Sequence, residues 1–164
     1  MSEFRYKVLW VDDLSGTQDK IFASGFESVA DEYGIDITMF TNWEEAEADL
    51  RKDFKSYSAI ILDANCKYGK NDNKTDELFI PSVVSSLARM FGEKRQAKPW
   101  YILSAGTMSK FDDVIQIAER EHATHQEEWG NMVYLKDAID NSINSVDTMF
   151  KNIVKVANTQ NANI

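Results

Sequence analysis

Short apolar runs alternate with longer amphipathic stretches along this chain. The runs are Tyr6–Val11 (YKVLWV) and residues 36–40 (DITMF), 59–62 (AIIL), 100–103 (WYIL) and 132–135 (MVYL). Four of them are continuously apolar, as expected of strands that helices cover on both faces, and they predict a parallel sheet. The stretches between them carry helical spacing. Ile21, Phe22, Phe26, Val29, Ala30 and Tyr33 form one stripe, with Gly34 behind it as a stop signal. Trp43, Ala46, Leu50 and Phe54 form a second, for which Thr41 and Glu44 have the spacing of a capping box. Phe79, Val83, Leu87, Met90 and Phe91 form a third, with Pro81 in its first turn, where a missing N–H costs little. Phe111, Val114, Ile115 and Ala118 form a fourth, boxed by Ser109 and Asp112. Ile139, Ile143, Val146, Phe150, Ile153 and Val154 form a fifth, with Asp137 placed to cap it.

Five strand–helix units therefore fill residues 1–157 as one α/β domain. Residues 66–76 (CKYGKNDNKTD) and 120–130 (REHATHQEEWG) lack periodicity and read as loops. Residues 158–164 (NTQNANI) have no apolar face and read as a disordered tail or the start of a linker.

Composition narrows the function classes. The 164 residues suit a single core, and 18 Lys and Arg against 27 Asp and Glu leave a net charge of −9. Such a chain, with no basic run, argues against direct binding to nucleic acid or anionic lipid. No segment approaches the roughly 20 apolar residues of a membrane span, and no signal peptide is evident. One cysteine, Cys66, excludes an internal disulfide and a Cys-rich zinc site, so a reducing, cytoplasmic setting is expected. Cys66 reads as a small packed side chain or a redox-sensitive thiol. His122 and His125 sit in an acidic stretch without metal-site spacing and read as a solvated helix end, whereas Trp10, Trp43, Trp100 and Trp129 read as core.

In open parallel sheets ligands bind beyond the carboxyl ends of the strands. Asp12 and Asp13 follow the first strand, Asp63 the third, Ser104 and Ala105 the fourth, and Lys136 the fifth. Alone, Asp12 and Asp13 would read as a turn and cap pair. Gathered with Asp63 they would repel one another until a proton or cation is shared, and hard oxygen ligands suit Mg²⁺. An exposed aspartate can attack phosphorus when a metal and a cation offset the charge, and Lys136 would be that cation. Ser104 would offer a hydroxyl to a phosphoryl oxygen, and Asn65 a backbone carbonyl to the metal.

The strings KVLWVDD, AIILDAN, the pair Ser104–Ala105 after WYIL, and VYLK resemble the four signature blocks of the receiver domain of two-component response regulators. The resemblance spans about residues 4–157, with all blocks in order at predicted strand ends. It implies a doubly wound (βα)5 flavodoxin-like fold with strand order 2-1-3-4-5. It implies Asp63 as phosphoacceptor, Asp12, Asp13, Asp63 and the Asn65 carbonyl as a Mg²⁺ site, Ser104 as the switch hydroxyl and Lys136 as the phosphate-binding lysine. The implied partners are a sensor histidine kinase and an output protein or fused effector, with a possible homodimer through the fourth helix, fifth strand and fifth helix. The chain departs from the family pattern at Leu14, where a third acid is usual, and at Asp137, where a proline is usual. Val133 holds the position of the switch aromatic, with Tyr134 one residue later, and the loop after Asp63 is long.

A different class of function is a pseudo-receiver, an interaction module that keeps the fold without phosphorylation. A conventional enzyme ranks last. Leu14 stands where a phosphatase using Asp12 as nucleophile would need an acid, and DDLSGTQ is not a Gly-rich dinucleotide turn.

Overall fold

The computed structural model describes residues 5–13, 17–64, 66–75, 78–104, 112–136 and 142–162, with side chains described outside 17–21, 112–115, 117 and 161–162. Five strands, β1 (Tyr6–Val11), β2 (Ile35–Phe40), β3 (Tyr57–Asp63), β4 (Trp100–Ser104) and β5 (Val133–Leu135), pair in parallel in the order β2-β1-β3-β4-β5. Val8 to Val11, Ala59 to Asp63 and all of β4 are buried, whereas β2 and β5 at the edges are half-buried. Three of the four continuous apolar runs therefore mark the central strands, and the fourth, 132–135, supplies the edge strand β5.

Six helices connect and flank the sheet among the described residues: α1 (Thr17–Glu32), α2 (Trp43–Lys52), α3 (Phe79–Lys94), α4 (Asp112–Ala123), the short α5 (Gln126–Trp129) and α6 (Val146–Ala162). Phe26 of α1 stacks against Trp10 and against Phe150 of α6, with ring centroids 4.5 and 5.0 Å apart. On the other side, the Trp43 indole of α2 donates to Ser86 of α3 at 3.2 Å, and α3 packs along α4. α1 and α6 pack on one face and α2, α3 and α4 on the other, as right-handed crossovers between parallel strands whose order reverses at β1 require, and the short α5 links α4 to β5. Burial of each large aliphatic side chain in such a core contributes about 1.5–3 kcal/mol.

Several local expectations give way. The cap of α2 is Asn42, not Thr41: its side-chain oxygen accepts from the Glu45 N–H at 2.9 Å, and its amide donates to the Glu45 carboxylate at 2.7 Å. Asn42 holds extended backbone, φ −155°, as an N-cap must, so the box lies one residue further on. Phe54 is buried in a 3₁₀ turn, Phe54–Ser56, beyond the end of α2. At α1 the stop signal works as expected: Gly34 takes φ 75°, a conformation costly for other residues.

The stretch 120–130 is no loop. It continues α4 and then forms α5, closed by Gly130 at φ 87°. His122 is 1% exposed, not solvated, and lies edge-on to Trp100 and Trp129. Neither ring nitrogen makes a hydrogen bond of normal geometry. Burial holds His122 down to about 4, opposed in part by the nearby Trp100 backbone.

The fifth predicted helix, α6, begins at Val146 and is capped by the Ser145 hydroxyl, which accepts from the Thr148 N–H at 3.2 Å. Asp137 and Ile139 lie outside the described residues, and Ile143 is exposed. The turn before α6 serves the sheet instead. The Asn144 carbonyl accepts from the Leu135 N–H at 2.9 Å, and its side-chain amide donates to the Val133 carbonyl at 2.9 Å, closing the outer edge of β5. At the other end, α6 continues past Asn158 to Ala162, and the Tyr6 hydroxyl donates to Asn158, so the expected tail is helical through that point.

Candidate functional site

Strand register builds the site. Val11 pairs with Leu62, so Asp12 leaves β1 level with Asp63, the last residue of β3. Asp63 pairs with Leu103, and Ser104 with Leu135, which puts Ser104 and Lys136 one step further along the same edge. Hydrogen bonds extend the ladders beyond the strands: the Asp12 N–H donates to the Phe40 carbonyl at 3.0 Å, and the Lys136 N–H to the Ser104 carbonyl at 2.8 Å. Four chemically active residues thus occupy the carboxyl end of one sheet at the point where strand order reverses.

Asp12, Asp13 and Asp63 each bring a carboxylate oxygen within 4.8 Å of the others. The Lys136 ammonium donates to Asp12 Oδ2 at 2.7 Å and lies 3.5 Å from Asp63 Oδ1. The side chains of Lys136 and Asp12 are 9% and 1% exposed, so this pair works in a poorly screened setting. The reach of Lys136 is achieved with Asp137, which itself lies outside the described residues, next in sequence. Three converging carboxylates repel one another beside the Lys136 ammonium, and a compact set of oxygen donors is chemically suited to a hard divalent cation. The residues present therefore fit Mg²⁺.

The individual expectations separate cleanly. Asp12, Asp13, Asp63, Ser104 and Lys136 come together at one edge, whereas Asn65 and Ala105 lie outside the described residues. Cys66 is fully buried and donates its thiol to the Thr41 carbonyl at 3.6 Å. Burial, with the Asp63 charge behind it, pushes the thiol pKa far up, so Cys66 is a packed side chain and not a reactive one. Tyr134 is buried against Tyr101, and its hydroxyl accepts from the Asn152 amide at 2.7 Å on α6, while Val133 is half-buried.

Two features escaped the sequence reading. The Phe22 ring, assigned only to the core stripe of α1, lies 5.3 Å from the Lys136 ammonium, and no local pattern announces that contact. The second is the segment after Asp63. The Lys67 and Tyr68 carbonyls accept from the Trp43 and Glu44 N–H groups at 3.1 and 2.8 Å, and Glu44 accepts from the Lys70 N–H at 3.0 Å. The segment thus satisfies the first amides of α2, which a helix cannot pair internally.

No family model and no curated protein matches the sequence. Solved structures do match it. A response regulator receiver domain from Clostridium thermocellum superposes with a TM-score of 0.57 at 12% identity, over 97% of this chain and 99% of that one. The signal receiver domain of a protein described as a Luxo repressor, from Vibrio parahaemolyticus, gives 0.51 at 16% identity, over 97% of each chain. The chain has the fold of a response-regulator receiver domain, with a sequence far removed from those it superposes on.

Proposed function

We propose that the protein accepts a phosphoryl group on Asp63 from a sensor histidine kinase and reports it through a protein–protein surface. The observation that carries this reading is the convergence of three carboxylates within 4.8 Å, with Lys136 bridging Asp12 and Asp63. A carboxylate oxygen of Asp63 attacks the phosphorus of the donor phosphohistidine, a P–O bond forms as the P–N bond breaks, and the departing imidazole takes up a proton. Asp12, Asp13, Asp63 and the Asn65 carbonyl would hold Mg²⁺, which when bound offsets charge on the transferring group. Lys136 answers the new charge as a compact cation beside Asp63, and Ser104 donates its hydroxyl to a phosphoryl oxygen. The readout is a change in the face formed by α4, β5 and α6, either toward a separate output protein, within a fused effector or in a homodimer. The lone buried thiol of Cys66 supports a cytoplasmic setting. Among the described residues no helix is long and apolar enough to cross a membrane.

Incubation with Mg²⁺ and a small phosphodonor should add the mass of one phosphoryl group, and Asp63→Ala should abolish the gain. An unmodified native protein, or an equal gain in Asp63→Ala, sinks the reading.

The hydrogen bond from Lys136 to buried Asp12 favours a second reading, a pseudo-receiver in which that ion pair takes the place of the metal. Titration of Mg²⁺ against Trp10 fluorescence separates the two, because a working pocket answers the ion and a pseudo-receiver does not.

A further inference from the structure

The end of the sheet opposite the acidic cluster holds a second lysine that is almost completely buried. Lys98 is 4% exposed and stands two residues ahead of β4. Its ammonium lies 4.6 Å from the centroid of the Phe54 ring, and among the described residues it has no hydrogen-bond or ion-pair partner. A ring face stabilises a cation only modestly and does not replace an acceptor. Burial lowers the Lys98 pKa to about 8, because the ammonium is partly desolvated.

Lys98 lines a cleft of about 370 Å³ between the 3₁₀ turn, the start of β3 and the last turns of α6. Lys55, Ser58, Gln96 and Gln160 line the same cleft, and no carboxylate does so among the described residues. A neighbouring cleft of about 380 Å³ shares Lys55 and Gln96 and adds Lys52 and Lys94. Its one carboxylate, Asp53, is engaged by Lys7 at 3.6 Å. In a chain of net charge −9, this is a local reversal of sign around a buried cation that has no counter-charge among the described residues.

We infer that this cleft is a binding site for a small phosphate-bearing anion, with Lys98 as the buried anchor, Lys55 as a second cation, and Ser58, Gln96 and Gln160 as neutral donors. A dianion matches two ammoniums, and its oxygens supply the acceptors that Lys98 lacks. The site is independent of the acidic pocket, because that pocket repels the same anion unless a divalent cation is present.

The test is calorimetric titration of the full chain with inorganic phosphate and with pyrophosphate, in buffer free of divalent cations. Lysine NMR is followed in parallel. Saturable binding is expected, with the Lys98 signal titrating at higher pH when the anion is present. Lys98→Met keeps the length of the buried stem, so the fold is retained, and it should weaken binding about tenfold, the equivalent of one charge-assisted contact. Lys55→Met should weaken it by a smaller factor. Absence of saturable binding overturns the inference. So does equal affinity in Lys98→Met, which would mark the response as general attraction to exposed lysines, and so does a Lys98 signal that ignores both anions.

Discussion

Two buried lysines stand at opposite ends of one sheet and solve the same problem differently. Lys136 is surrounded by carboxylates, hydrogen-bonded to Asp12 at 2.7 Å and 3.5 Å from Asp63. Lys98 is as well hidden and has an aromatic ring beneath it but, among the described residues, no acceptor. Desolvation penalises both cations, and only the first recovers the loss from protein groups. Burial alone therefore says little about what a charge contributes. The identity of its neighbours decides the sign.

The largest test of this contrast is Lys136→Met. Removal of the cation takes from buried Asp12 and its neighbours the ammonium that offsets their charge, and the cost should be about 3–5 kcal/mol of unfolding free energy in urea. Mg²⁺ should restore part of that loss. An unchanged midpoint would erase the distinction between the two lysines.

His122 adds a third way of managing a buried basic group, which is to remain neutral. Its folded pKa of about 4 lies below the ordinary 6.5, so between these values the unfolded chain binds a proton that the native protein refuses. Stability should fall as pH drops from 6.5 to 4, by about 3 kcal/mol at most, and should lose nothing more from this group below 4. His122→Phe should flatten that part of the pH profile measured by chemical unfolding. A profile as steep as the parent's would assign the acid sensitivity elsewhere.

The smallest effect, and of opposite sign to the first, is expected for Lys98→Met. At neutral pH, without added anions, it should raise stability by about 1–2 kcal/mol, because an uncompensated ammonium is exchanged for a thioether of similar shape. In the parent, the folded pKa of about 8 lies below the ordinary 10.5, so the penalty is fully present below 8 and is relieved as pH rises toward 10.5. The variant should lack that rise. A loss of stability in Lys98→Met at pH 7 would show that Lys98, too, is compensated.

The central architecture was legible in the sequence because it rests on continuous apolar runs and on the residues that follow them. Val8 to Val11 and Ala59 to Leu62 are buried, and the register in which those strands pair carries Asp12 and Asp63 to one edge. Reading failed where a polar letter held a buried position. Ala118, His122 and Trp129 are all buried, but an imidazole at the middle position hid the helical stripe and made residues 120–130 look like a loop. It failed again where a cap and an edge contact competed. Asn144 is spent on the main chain of β5, and α6 starts later than its apolar spacing suggested, at Val146 behind its Ser145 cap. Lys98 was invisible for a related reason: nothing local distinguishes a lysine over a phenylalanine ring from one in water.

The closure of β5 by Asn144 has a consequence for traffic on that side of the molecule. A bare strand edge accepts almost any extended peptide, because main-chain hydrogen bonding is blind to sequence. Here the Leu135 N–H and the Val133 carbonyl are already taken by Asn144. A visitor to this flank must therefore be selected by shape and side-chain chemistry. Indiscriminate strand addition, with the runaway assembly it invites, is denied its template there.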